Sequence, residues 1–396
     1  MRTSFCLLLC WALGGCSDIL PQREETVGSC TKETDCGGNG QVCKANQCVP
    51  CSAHGDCQSA VCDLYGDLGG TGKCVAPSNI IYVNNSDPDA QGCSIGTGSQ
   101  DTPWCSVESA LAQLMTQPGK VISLHGSPTL NQIPTVTASL GSLVIVGSGL
   151  FAPGKTATLN ATDGILQVEG GASLVLDGVL LTAPGITTSA GAKVTIRRSM
   201  ITNLQTGARF DGSTVTLDSD HINQNLLGLA FNSSTVSVTN SFFAANSADP
   251  STNMIEVNGG SGVFQFNTVA YNVLGSATAH VLNCAGSSTL VVKNSIFVQN
   301  GSTQQLAQGC ATVASSLILG SLDLTAGQIK QDPVFENAGQ LDLRLRPGEA
   351  TNTQFLFDKA VQVSPAVEKN TDHDYYGNPR PQGGGYDIGA FELAGP

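Results

Sequence analysis

Charge is scarce in this chain. Charged side chains make up 12% of the 396 residues, about half the share of an ordinary globular domain. With 46 Gly and few aromatics, that fits a long, tightly turning β structure whose surface is covered by Ser, Thr and Asn rather than by charge. Positive charge is the rarer sign: 18 Lys and Arg stand against 31 Asp and Glu, a net charge of −13, with no run of basic residues. Nucleic acid and anionic membrane surfaces therefore find nothing to bind, and a neutral or cationic glycan surface, or a protein, suits the chain better. Aromatic residues are 5%, and of the two Trp one is Trp11, inside the apolar run at the N-terminus. No row of rings is evident for stacking sugars. The apolar run itself, Phe5 to Leu13, is too short to span a bilayer as the helix of a folded protein. Five histidines, His54, His125, His221, His280 and His373, lie scattered without metal-ligand spacing, so no metal or cofactor is expected.

What the chain does have is glycine, 46 of them, and repetition. Five pieces align: Val194-Thr-Ile-Arg-Arg-Ser199, Val215-Thr-Leu-Asp-Ser-Asp220, Val236-Ser-Val-Thr-Asn-Ser241, Phe264-Gln-Phe-Asn-Thr268 and Val291-Val-Lys-Asn-Ser295. Their ends step by 21, 21, 27 and 27 residues. Gly164-Ile165, Gly185-Ile186, Gly207-Ala208 and Gly228-Leu229 recur with a similar step. A period of this length marks a solenoid, in which no unit buries its own apolar face and each stacks on the next. Each unit alternates apolar and polar residues over four to six positions, is rich in Val, Ile, Thr and Phe, and is bounded by Gly, Asn, Ser or Asp. Those are strands.

With this periodicity the chain resembles the right-handed parallel β-helix repeat family over about 80–396. The fold class expected is all-β, a right-handed parallel β-helix with a small N-terminal disulfide-rich module. Asn240, Asn267 and Asn294, 27 apart, are expected to stack as an asparagine ladder. Cys284 and Cys310, about one coil apart, are expected to bridge, because stacked strands lie about 4.8 Å from each other. At the N-terminal end, Ile80 to Val83 reads as a strand. Ser106 is the expected N-cap of a helix carrying Val107, Ala110, Leu111, Leu114 and Met115 at helical spacing, ended by Pro118-Gly119. In the family such a segment caps the solenoid, here 80–125. The closing motifs Asp374-Tyr-Tyr-Gly-Asn-Pro-Arg-Pro381 and Tyr386-Asp-Ile-Gly-Ala-Phe-Glu392 resemble the C-terminal region of choice-of-anchor and polymorphic-outer-membrane-like β-helix proteins. They imply a C-terminal cap over 330–396, with Arg380 and Asp387 holding its turns.

The N-terminus, with Arg2, the apolar run and Leu13-Gly-Gly-Cys16, resembles a bacterial lipoprotein signal. The resemblance implies a signal peptide over 1–15, lipid on Cys16, and a polar tether over 16–29. It also implies export and anchoring in the outer membrane of a Gram-negative cell, on the surface or the periplasmic face. Eight cysteines follow in a 30–76 module: Cys30, Cys36, Cys43, Cys48, Cys51, Cys57, Cys62 and Cys74. In an oxidising compartment they read as a disulfide framework of two quartets, with the pairing open. Zinc at Cys48-Val-Pro-Cys51 with His54 is the alternative. The quartets, each with an Asp-Cys pair, resemble dickkopf-type cysteine-rich repeats. Cys93 and Cys105, in the loop before the helix, complete the disulfide candidates.

The chemistry the sequence offers is a column of one residue per coil, Asp177, Arg197 and Asp218, with Arg198, Asp220 and His221 beside it. Carboxylates one coil apart could act as acid and nucleophile, or hold Ca²⁺ in a polysaccharide lyase. With Arg197 between the acids, the column also reads as a surface ladder of alternating charge. The reading leans away from an enzyme. It favours a lipid-anchored solenoid serving as a binding, adhesive or structural surface toward glycan or protein, with a polysaccharide lyase or hydrolase as the alternative.

Overall fold

The computed structural model describes residues 30–84, 96–126, 129–130, 135–147, 157–161, 165–182, 185–248, 253–298, 300, 309–312, 317–319, 332–363 and 370–393, apart from positions 39, 69, 206, 227, 277 and 278. The signal, Cys16, the tether and Cys93 lie outside these residues. Two compact units separate at Val75 and Ala76.

In the first unit the two quartets pair alike, first cysteine with third and second with fourth: Cys30–Cys43 and Cys36–Cys48, then Cys51–Cys62 and Cys57–Cys74. The Asp of each Asp-Cys pair performs the same task. Asp35 accepts the backbone N–H groups of Thr31 and Lys32 and the Thr31 hydroxyl. Asp56 does so for Ser52 and Ala53. The zinc alternative fails: Cys48 and Cys51 are spent in disulfides, and His54 Nδ1 accepts the Cys62 N–H at 3.1 Å.

The second unit is a parallel β-solenoid. Among the described residues its strands form three sheets of ten, nine and six members, each strand pairing with its equivalent in the next coil. We call them the first, second and third faces. In one coil they are Lys193–Arg197, Met200–Thr202 and Ala208–Asp211. Inward residues fill the core: Val194, Ile196, Ile201 and Phe210 here, Val215, Leu217, Ile222 and Phe231 in the next coil. Phe210 stacks on Phe231 at 5.1 Å and Phe264 on Phe297 at 5.7 Å, so the axis is a continuous apolar column. Parallel sheets need both faces and ends covered. The strand Ile80–Asn84 opens the first face, and helix Val107–Thr116, capped by Ser106 accepting the Ser109 N–H, buries Val107, Ala110, Leu111 and Leu114 in the same core. Met115, at the right spacing to join them, is 76% exposed instead.

Among the described residues, left-handed backbone recurs at all three kinds of corner. Between the third and first faces Gly191 and Gly212 supply it with φ of 86° and 56°, at no steric cost. Between the first and second faces non-glycine residues do so: Arg198, Ser219, Asn240, Phe266 and Asn294. That costs about 1–2 kcal/mol at each, and the residue after each turn offsets it by bonding to the next coil. Ser199 N–H donates to Asp220, Asp220 N–H to Ser241, Ser241 N–H to Asn267, and Asn267 N–H to Ser295.

This register corrects the expected asparagine ladder. The coil steps are 26 and 28, pairing Thr239 with Gln265 and Gln265 with Lys293. Asn240 and Asn294 therefore share a left-handed position that Phe266 fills, while Asn267 lies one place further on. The asparagine ladder sits at the other corner, in Asn225, Asn246, Asn272 and Asn300. Each of the first three gives Nδ2–H to the next Oδ1 at 2.8–3.0 Å. Cys284 and Cys310 bridge adjacent coils as expected, with Cα atoms 5.0 Å apart. Cys105 is also in a disulfide.

Candidate functional site

The column Asp177, Arg197, Asp218 lies in one register, as its spacing suggested. It is neither exposed nor open. Asp177 and Asp218 are each 1% exposed and Asp220 is fully buried. Asp177 accepts from Arg197 Nε at 2.9 Å and from Arg198 Nε at 2.9 Å. Asp218 Oδ1 accepts from the Thr239 hydroxyl at 2.8 Å and Asn240 Nδ2 at 3.0 Å. Its Oδ2 faces His373 Nε2 at 3.2 Å. Asp220 accepts the backbone N–H groups of Ser199 and Asp218. Burial, and then the nearby charges of Asp218 and Asp177, push its carboxyl well above the usual range against those hydrogen bonds. His221 points outward from the second face, its ring edge-on to Phe242 and Tyr375 at 6.2 and 6.4 Å. Burial pushes it down to about 4, and its Nε2 is buried without a partner.

The cover is the C-terminal segment. Where the sequence suggests a cap over the end of the solenoid, residues 332–363 and 370–393 lie along its flank. Phe335, Leu343, Leu345, Leu356, Tyr375 and Ile388 pack on Phe242, Ala244, Ala270, Ile296 and Val298, the outward row of the second face. Polar contacts tie this strap to successive coils. Val361 and Asn294 exchange two bonds at 2.9 and 3.0 Å. The Ala390 N–H reaches Thr268 Oγ1 at 3.1 Å, and Asn240 Nδ2 reaches the Asn370 carbonyl at 2.7 Å. His373 finishes the series between Asp218 and Asp372, the latter at 2.8 Å. Burial alone would lower His373, but the two carboxylates win and push it up to about 10.

Arg380 and Asp387 hold turns, as the sequence reading has them. The Arg380 guanidinium, wholly buried, pairs with buried Glu392 at 2.7 Å and lies 4.5 Å over the Phe266 ring. It also bonds the carbonyls of His373 and Gly389. Asp387 accepts the N–H groups of Asp358 and Leu393, and burial together with the Glu392 charge pushes it up to about 7.

This arrangement fastens coils to each other and to the strap. Glycoside cleavage needs a carboxylic acid and a carboxylate on either side of a bond that the substrate can bring between them. Here Asp177 and Asp218 are occupied by arginine, hydroxyl, amide and imidazole groups, and the neutral-leaning acid, Asp220, has no exposure. A Ca²⁺ site needs six to eight free oxygens, which this column does not offer. His373 was missed by sequence reasoning. It lies 155 residues from Asp218, and no local pattern marks it.

What remains open on the outward side of the first face are two rows. Lys193, Thr214, Thr235, Ser261 and Thr289 form an exposed row, and Thr195, Thr216, Ser237, Val263 and Val291 a second beside it, half-buried but for the exposed Val291. The signal was present in the five aligned pieces, in the polar partners of their inward Val, Leu and Phe residues. No protein-family model and no curated protein sequence matches the chain.

Proposed function

We infer that this protein is an exported cell-envelope lipoprotein, held to the outer membrane through lipid on Cys16. Its solenoid serves as a non-catalytic binding or structural surface toward a glycan or a protein. The observation that carries the non-catalytic part is the closure of the acidic column: Asp177, Asp218 and Asp220 are buried and used in internal bonds, Asp177 to Arg197 and Asp218 to His373 of the strap. The rigid in-register faces and the disulfide-bonded N-terminal unit suit a chain that must persist in an oxidising compartment. The N-terminal Leu13-Gly-Gly-Cys16 supports lipidation, and among the described residues no helix is long and apolar enough to cross a membrane.

The test is incubation of the full chain with neutral and uronate polysaccharides, with and without Ca²⁺, following reducing ends and unsaturated-uronate absorbance. No turnover is expected. Turnover would make the protein a lyase or hydrolase and overturn the reading. Radiolabelled palmitate should be incorporated in wild type and absent from Cys16→Ser; no label in wild type would remove the anchor, and label persisting in the variant would overturn Cys16 as its site.

A further inference from the structure

The two rows on the first face are unusual in what they leave unbonded. Among the described residues, none of the seven hydroxyls of Thr195, Thr214, Thr216, Thr235, Ser237, Ser261 and Thr289 has a hydrogen-bond partner within the protein. This is the opposite of the two corners, where the polar side chains bond coil to coil. The rows carry no acid, and their only cation is Lys193 at one end. Each hydroxyl repeats at the strand spacing, about 4.8 Å, and the two rows stand about 7 Å apart. Five strands in register therefore make a flat strip roughly 20 Å long and 7 Å wide.

Size and charge decide the occupant. A specific protein partner covers about 800 Å² on each side, several times what this strip presents. A polyanion meets a molecule of net charge −13, and a polycation finds no counter-charge on the strip. A linear uncharged polymer rich in hydroxyls fits the length, the width and the bonding pattern. Its hydroxyls are both donors and acceptors, and the rigid sheet holds the matching groups in place beforehand, so little order is lost on binding. With no aromatic ring in the rows, affinity comes from hydrogen bonds and from methyl contacts of Thr and Val. It is therefore weak for each sugar and additive along the chain.

Resting on the reading of the solenoid as a binding surface, we propose that this threonine strip holds a single extended chain of an uncharged polysaccharide lying along the solenoid axis. The experiment is sedimentation of the full chain, in detergent, with particles of cellulose, chitin and β-1,3-glucan, and with alginate as the anionic comparison. Thr214→Glu with Thr235→Glu changes two exposed side chains of the strip, and Arg209→Ala changes an exposed one on the third face. Retention of wild type on a neutral polymer, at least tenfold weaker in T214E/T235E and unchanged in R209A, is the expected result. Equal melting temperatures would show that the variants fold. Thr216→Val, which keeps the shape and removes one hydroxyl, should weaken retention severalfold.

Neutral-polymer binding that T214E/T235E leaves intact would overturn the strip while a binding role survives. The same holds for binding to alginate alone. A protein partner lost in T214E/T235E would overturn the polysaccharide. Retention by none of the polymers, with no partner found, would remove both this inference and the binding role beneath it.

Discussion

At the scale of single residues, His373 decides how the flank closes. Its imidazolium lies between Asp218 and Asp372, and the two acids raise it to about 10 against the effect of burial. In the unfolded chain a histidine titrates near 6.5. A raised folded value means the contribution is complete below about pH 6.5 and is lost as the pH climbs through about 10. His373→Gln should therefore cost on the order of 2–3 kcal/mol at pH 6. That gap should close as the pH approaches 10, read from guanidinium unfolding of both proteins. A gap that stays constant with pH would mean that the imidazole is not charged. His221, whose ring lies edge-on to Tyr375 of the strap, carries the opposite sign: its lowered value makes stability fall as the pH drops from about 6.5 toward 4.

At the scale of elements, the coils are joined by side chains as much as by strand ladders. Asn272 shows the arrangement. Its Oδ1 accepts the N–H and Nδ2–H of Asn246, and its Nδ2 donates to Asn300 Oδ1 and the Phe243 carbonyl. Asn272→Ala leaves those buried groups without partners and should cost roughly 2–4 kcal/mol, measured as a fall in unfolding free energy. Asn203→Ala, at an exposed left-handed corner beside the start of the same row, should cost about 1 kcal/mol. An equal loss in the two variants would show that the ladder adds nothing beyond the turn. The recurring Ile222-x-x-Asn225, Phe243-x-x-Asn246, Val269-x-x-Asn272 and Phe297-x-x-Asn300 was legible, but the more regular spacing of Asn240, Asn267 and Asn294 obscured it. Even spacing was misleading because extra residues enter unevenly. Asn225 and Leu229 are four positions apart, Asn246 and Ile255 nine, and Asn272 and Leu282 ten.

At the scale of the whole molecule, the strap converts one flank of the solenoid into a second core. Phe242, Ile296 and Val298 are buried in one cluster with Phe335, Leu343, Leu345, Leu356, Tyr375 and Ile388 of the strap. A chain ending at residue 331 should keep its parallel sheets but bind a hydrophobic dye and self-associate, seen by fluorescence and size-exclusion chromatography. A monomer that excludes the dye would show that the strap is dispensable for covering this face. The same strap leaves the row from Lys193 to Thr289 on the first face exposed. The molecule therefore has a fastened side and an open one.

The sequence by itself determined the period, the strands and the disulfide-rich unit. Those follow from alternation, turn residues and cysteine spacing, which neighbouring positions carry. Helix Val107–Thr116 and the Cys284–Cys310 bridge were legible for the same reason. Only the tertiary structure decided which polar residues face water. Asp177, Arg197 and Asp218 read along the chain as a solvent-facing column of charge, in the same alternation that sets Thr214, Thr216 and Thr235 facing outward. The column is closed because Arg197 and Arg198 turn onto Asp177 and because His373, 155 residues later, reaches Asp218, while Thr214 and Thr235 stay exposed. Burial of an outward side chain depends on what packs against it from elsewhere, and that information is not held in the local pattern.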